Sequence, residues 1–232
     1  MGHADSIQKY RLVRSRFEEK FKGSAVSSSP TYLDPVVVPL IVGETVLDVG
    51  CGYGRWCNLI QSNFWEANLP RPPEVDGFDA FEANVDYCRR HNSYRRVWQQ
   101  SMPSPLQNQW DTVLACEVIE HIEQDAVEEA IGILENAAKR RIIVSTPNWP
   151  YFRSGGDTIV GYNDHEAHLS YVPRSFFRQR GYRLLGAGFG NPRNLPSQLI
   201  RKLSRGWAPM LDSIPRVVPS WAQSLVAYKD FN

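Results

Sequence analysis

The stretch from Val46 to Gly54, V-L-D-V-G-C-G-Y-G, constrains this chain more than any other. Val46, Leu47 and Val49 make a short apolar run of the kind a buried parallel strand requires. Gly50, Gly52 and Gly54 then fall at alternate positions. Glycine has no Cβ, so the backbone can turn sharply there and a ligand can approach it closely. The first N–H groups of a helix that follows lack internal partners and point at whatever sits in front of them. A strand, a glycine loop and a helix therefore predict a ligand platform rather than a bare turn.

The spacing of the glycines narrows the ligand. A dinucleotide fingerprint reads G-x-G-x-x-G, whereas here the third glycine comes one residue early and Asp48 precedes the loop. The loop alone leaves a nicotinamide cofactor open, and the rest of the chain argues against it. Down the sequence, strand and helix signals alternate. A helix is expected from about Arg55 to Trp65, a strand from Val75 into Asp79, a helix over Glu82 to Asn92 and a short strand over Arg96 to Gln99. Trp110 to Cys116 reads as a strand, Ala126 to Lys139 as a helix and Arg141 to Ser145 as a strand. Trp149 to Ser170 reads as irregular. Arg174 to Arg180 reads as helical, and Tyr182 to Leu185 and Leu225 to Tyr228 as strands. This alternation predicts a doubly wound α/β sheet.

Bulk properties exclude several classes. With 232 residues the chain suits one α/β domain with an elaboration. A formal net charge of +1 supplies no long-range pull toward nucleic acid or an anionic membrane. Cys51, Cys57, Cys88 and Cys116 form no C-x-x-C pair, so a zinc site is not expected, and Cys51 and Cys116 read as small buried hydrophobes. No run approaches the roughly 18 apolar residues of a membrane span, and a reducing cytoplasm is the simplest location.

Four further segments complete the pattern. Asp79 ends a strand 25 residues after Gly54, where a carboxylate can accept from both hydroxyls of a ribose and also cap the next helix. Ala80, Phe81 and then Ser101-Met102 follow at the ends of the second and third strands. Glu117-Val118-Ile119-Glu120-His121-Ile122 follows the fourth strand, and Ser145-Thr146-Pro147-Asn148 the fifth, with His168, Tyr171, Phe176, Phe177 and Gly181-Tyr182 beyond. Together with the glycine loop, these segments resemble class I S-adenosylmethionine-dependent methyltransferases, over about Glu44 to Gly186. The resemblance implies a Rossmann-like, seven-stranded, mostly parallel sheet flanked by helices, with an antiparallel last strand. It implies S-adenosylmethionine as cofactor and S-adenosylhomocysteine as product. Cofactor contacts are carried onto Asp48, Gly50, Cys51, Gly52, Gly54, Asp79, Ala80, Ser101, Met102 and Glu117. The pattern departs at Ser101, where the family often has an acid, and a proline-glycine-glycine turn before the fifth strand is missing.

The expected reaction is methyl transfer to a hydroxyl or amine of a small molecule or glycan, with metal-dependent RNA 2′-O-methylation as the alternative. His121 and His168 are the candidate bases, because imidazole is best suited to take a proton near neutral pH. Glu117, Glu120, His121 and His168 together would also suit a divalent cation. The E-x-x-E-H pattern is explained well enough by strand-end packing, so no metal is assigned and activity is expected to survive chelation. Residues 1–30 are expected to form a helix and linker that could act as a lid, and residues 31–232 the methyltransferase domain. That domain carries an insertion at about 190–220, with an amphipathic helix whose Leu195, Leu199, Ile200, Leu203 and Trp207 share a face. The expected partners are the small acceptor and, in a homodimer, a second copy of the chain; nucleic acid is not expected.

Overall fold

The computed structural model describes residues 29–66, 71–91, 94–203, 211 and 213–231. The expected helix near the start and Trp207 lie outside them. The main sheet holds β1 (Thr45–Val49), β2 (Glu74–Asp79), β3 (Arg96–Gln99), β4 (Trp110–Cys116), β5 (Ala138–Pro147), β8 (Arg183–Phe189) and β9 (Ala222–Asp230). Their order is β3-β2-β1-β4-β5-β9-β8. Strands β1 to β5 pair in parallel, and β9 runs antiparallel to both β5 and β8. A separate two-stranded hairpin is made by β6 (Gly156–Thr158) and β7 (Gly161–Asn163).

Side chains alternate across this sheet and feed two cores. Leu47, Val49, Val113, Ala115, Ile142 and Val144 face one way, against α4 (Val127–Ala137) and Phe177 of α5 (Arg174–Gln179). Val46, Leu114, Cys116 and Ile143 face the other way, against α1 (Asp34–Val37) and Trp56, Cys57 and Ile60 of α2 (Arg55–Glu66). The third helix, α3 (Glu82–His91), buries Val85 and Cys88. At the β2 edge, buried Asp76 accepts from Arg95, Arg96 and the Trp110 indole, which hold its carboxyl down to about 2.

Among the described residues the expected elements are present, most with shifted ends. The helix expected over Ala126 to Lys139 stops at Ala137, because Ala138 already pairs with Trp110 in the sheet. Its alanines and lysine favour helix, but strand pairing overrides them. The stretch expected to be irregular contains the β6–β7 hairpin. Of the amphipathic face, Leu195 and Leu199 in α6 (Leu195–Leu203) are 77% and 59% exposed. A last short helix, α7 (Ile214–Val217), follows. No described helix is long and apolar enough to cross a membrane.

Strand order reverses between β1 and β4. In such a sheet the crevice at the carboxyl ends of those two strands is where ligands bind. The glycine loop leaves β1 and the Glu117 segment leaves β4 at this point.

Candidate active site

The glycine loop adopts a backbone that only glycine takes without strain. Gly50, Gly52 and Gly54 have φ of 63°, 52° and 78°. A Cβ on Gly50 would lie 2.6 Å from Val118, so the loop also packs on the segment after β4. Cys51 donates its N–H to the Phe78 carbonyl at 2.9 Å, and Gly52 donates to the Asp79 carboxylate at 2.8 Å. Asp79 also accepts from the Phe81 N–H and the Asn84 amide. It is therefore held rigid at the end of β2, and burial pushes its pKa up. Oδ1 accepts two of these hydrogen bonds and Oδ2 one, so Oδ2 keeps capacity toward a ligand.

A cavity of about 390 Å³ opens in front of the loop. Of the residues expected to meet the cofactor, Gly50, Cys51, Gly52, Asp79, Ala80, Ser101, Met102 and Glu117 line it. Gly54 and Asp48 are not in its wall. Asp48 is buried; one of its oxygens accepts from the Tyr94 hydroxyl at 2.5 Å and the other has no partner. Burial outweighs that hydrogen bond and raises its carboxyl to about 7. Its position is that of a support for the loop.

The far end of the same cavity is assembled from distant segments. Ile119–His121 forms one 3₁₀ turn after β4. The Glu120 carbonyl accepts from the N–H groups of Leu169 and Ser170, and the Ser170 hydroxyl donates to the Ile119 carbonyl. The His168 N–H donates to the Arg153 carbonyl at 2.9 Å. These backbone ties bring residues 119–121, 151–153 and 167–170 to one wall. The Nδ1 atoms of His121 and His168 lie 2.9 Å and 3.1 Å from the carbonyls of Ala167 and Tyr151. A carbonyl only accepts, so Nδ1 carries the proton in each ring and Nε2 is left as the lone pair. The rings stand nearly perpendicular with centroids 4.8 Å apart.

Glu120 is buried, and among the described residues neither carboxylate oxygen has a hydrogen-bond partner. Desolvation, with the Glu117 charge behind it, raises its pKa well above the usual range; nearby Thr146 offsets only part of this. One ligand atom each from Glu120, His121 and His168 lies within 4.8 Å of the others. Two tautomer-fixed imidazoles beside a desolvated carboxylate that only Thr146 partly offsets fit a divalent cation. Strand-end packing does not explain an unpartnered buried carboxylate. Glu117 does not belong to this cluster. Its φ of 55° turns it toward Ser145, whose hydroxyl donates to the Glu117 carboxylate at 2.8 Å. Burial raises Glu117 to about 7.

Burial lowers His121, and burial together with the His121 charge lowers His168 to about 4. Both rings are neutral at neutral pH, below the ordinary imidazole range that their sequence alone suggests. Among the residues of the cavity not singled out from the sequence are Arg55, Trp149, Tyr151 and Arg153. Arg153 pairs with Glu166 at 3.1 Å. Their segment carries no periodic signal, and Arg55 reads as an ordinary helix-start residue.

Comparison with known proteins accords with this geometry. The family described as Methyltransferase domain matches residues 11–185. The ubiquinone biosynthesis O-methyltransferase of Pseudomonas paraeruginosa is 34% identical over 93 residues, 37% of this chain and 37% of that protein. The chain thus matches little more than a third of that relative's length. Among solved structures, magnesium protoporphyrin IX methyltransferase from Synechocystis PCC 6803 with bound SAM superposes with a TM-score of 0.51 at 16% identity, covering 86% of this chain and 78% of that one. The Pnkp1/Rnl/Hen1 RNA repair complex gives 0.54 at 14% identity, covering 97% of this chain and 48% of that one. The loop, the switch-point cavity and the family match lead to one conclusion: the chain belongs to the methyltransferase-domain family and is an S-adenosylmethionine-dependent methyltransferase of the Rossmann-like class I fold.

Proposed function

We propose that this enzyme methylates a hydroxyl of a small molecule, with Glu120, His121 and His168 as a divalent-cation site beside the transferred methyl. The observation that carries this reading is the buried carboxylate of Glu120, without a hydrogen-bond partner among the described residues and within 4.8 Å of a ring nitrogen of each of two imidazoles. The acceptor oxygen attacks the sulfonium methyl in line. The O–C bond forms, the S–C bond breaks, S-adenosylhomocysteine leaves and the hydroxyl proton passes to solvent water. The sulfonium is already activated, so the protein's task is alignment and exclusion of water.

An imidazole with a pKa of about 4, as His168 has, is a weak base for a hydroxyl. It is a good neutral ligand. A cation bound there would lower the pKa of an acceptor hydroxyl and keep Glu120 ionised. This reading replaces the expectation of metal-free activity. Asp79 is assigned to the ribose hydroxyls, the Gly50–Gly52 backbone to the methionine part, and Ser101 and Met102 to the adenine. Trp149 and Tyr151 supply an aromatic wall on the acceptor side, which suits a small flat acceptor. The name of the Pseudomonas relative supports transfer to oxygen. RNA is not favoured, because a net charge of +1 offers no basic field for a polyanion.

The test is a screen with labelled methyl donor over small hydroxylated compounds, amines, glycans and short RNAs. Each is run with chelator and after adding back one divalent ion. Transfer to a small hydroxyl, lost on chelation and restored by the ion, is expected. Transfer to RNA alone, or full activity in chelator, overturns the corresponding half of the reading.

A further inference from the structure

Arg55 is the first residue of α2, directly after Gly54, and its guanidinium stands in the wall of the cavity. Nη2 donates to Asp34 at 2.5 Å. The guanidinium carbon lies 5.0 Å from the centroid of the Trp56 ring, which packs against its face. Nη1 is buried and, among the described residues, has no hydrogen-bond partner. A desolvated guanidinium N–H left unpaired is costly. The arrangement is one half of a fork already used by a carboxylate, with the other half waiting for a second acceptor.

The cavity wall offers one other arginine among the described residues, Arg153. Its Nη2 is engaged by Glu166 and its charge acts on His121 and His168, whereas its remaining buried nitrogen without a partner is Nε, which offers no fork to a second carboxylate. Arg55 lies at the glycine-loop end. S-Adenosylmethionine carries one carboxylate, at the end of the molecule furthest from adenine. With the ribose at Asp79 and the sulfonium methyl facing His121 and His168, the remaining end of the ligand runs along the loop toward α2. We propose that Arg55 is the anchor of the cofactor carboxylate, taking it through Nη1 while Asp34 holds Nη2. Asp34 begins α1, so the same guanidinium ties the segment before β1 to the bound cofactor. Arginine suits this better than lysine, because its planar fork serves two carboxylates at once.

This inference rests on the assignment of Asp79 to the ribose, and two ligands separate the two. S-Adenosylhomocysteine carries the amino-acid tail; 5′-methylthioadenosine has the same nucleoside and sulfur but lacks it. Affinities of both are measured by calorimetry on the full chain, on Arg55→Met and on Arg55→Lys. Arg55→Met is expected to weaken S-adenosylhomocysteine about 10- to 100-fold, the range for a lost charge-assisted hydrogen bond. It should leave 5′-methylthioadenosine within about twofold, by the same reasoning. Arg55→Lys should fall between wild type and Arg55→Met for the first ligand alone. Equal losses for both ligands would mean that Arg55 merely supports the fold, and would overturn the proposal, as would unchanged binding of S-adenosylhomocysteine. If Arg55→Met does not fold, Arg55→Lys decides by the ratio of the two affinities, and a ratio equal to that of wild type overturns the proposal. Loss of both ligands on Asp79→Ala with an unchanged ratio supports the ribose assignment independently. Wild-type protein that binds 5′-methylthioadenosine no worse than S-adenosylhomocysteine would remove the carboxylate anchor.

Discussion

The two ends of the cavity are built on opposite plans. At the glycine-loop end, the carboxylate that faces the ligand is already satisfied by the protein. Asp79 accepts from Gly52, Phe81 and Asn84 before any ligand arrives. At the acceptor end the carboxylate is bare, since Glu120 has no partner on either oxygen. The first plan yields a preformed surface whose shape selects the cofactor. The second stores an uncompensated charge that only a cation or a proton relieves. The contrast assigns shape recognition to one end and chemistry to the other.

The strongest test of this division replaces the imidazoles. His121→Ala and His168→Ala are expected to lower turnover about 100-fold or more, as removal of a group acting on the reacting atoms does. Affinity for S-adenosylhomocysteine should change little. The turnover of wild type should show no step near 6.5 attributable to either ring, because burial lowers both. If both variants keep full turnover, the acceptor end acts by alignment alone and the contrast fails.

Glu120 gives the next largest effect, read as stability. A ligand that binds only the folded state at 100 times its Kd stabilises by about 2.7 kcal/mol. Wild type should gain this order of stability from Mg²⁺ or Mn²⁺ in urea unfolding, and Glu120→Gln should not. Without cation, the sign follows from the raised pKa of Glu120. Its contribution to stability is present below the unfolded value of about 4.3 and is lost as pH rises toward the folded one. Glu120→Gln should therefore outlast wild type increasingly as pH rises in chelator. An equal response of both proteins to the ion would place the cation elsewhere.

At the other end, Gly52→Val should act on cofactor affinity and not on chemistry. Valine at a φ of 52° carries strain of about 1–3 kcal/mol, or roughly a 5- to 150-fold loss if the loop must keep its shape to bind. Turnover at saturating cofactor should stay closer to wild type. Unaltered affinity in a folded variant would show that the loop is not a ligand surface.

The same contrast explains what could be read from the sequence. The glycine loop is contiguous with its strand, and its partner Asp79 ends the very next strand, so local pattern suffices. The doubly wound, mostly parallel sheet follows from the strand–helix alternation, whereas the order of its strands does not. The acceptor end joins residues 119–121 to 151–153 and 167–170 through backbone hydrogen bonds that no local pattern encodes. The β6–β7 hairpin is too short, with three residues in each strand, to show alternation. The E-x-x-E-H spacing suggests one face for Glu117, Glu120 and His121. The positive φ of Glu117 breaks that regularity and sends it to Ser145. Asp48 reads as a ligand contact because it adjoins the loop, but strand alternation turns it inward, to Tyr94.

Asp48 supplies the finest test, because it is a second buried carboxylate with a raised pKa, placed at the shape-determining end. Unfolded, it ionises near 3.9; folded, near 7. Its contribution to stability is thus complete below about pH 4 and declines as pH rises to about 7. Asp48→Asn still accepts from Tyr94 and no longer titrates. Its stability relative to wild type is expected to grow by about 1 kcal/mol between pH 5 and 6, from the slope that one proton allows. Glu120→Gln should show a trend of the same sign. The two part when Mg²⁺ or Mn²⁺ is added. The cation should abolish the advantage of Glu120→Gln, because wild-type Glu120 then has a partner, and leave that of Asp48→Asn unchanged. Urea unfolding of the three proteins across this pH range, with and without the ion, makes the comparison. Loss of both advantages on adding the ion would mean that Asp48 senses the cation, and the two ends would no longer be independent.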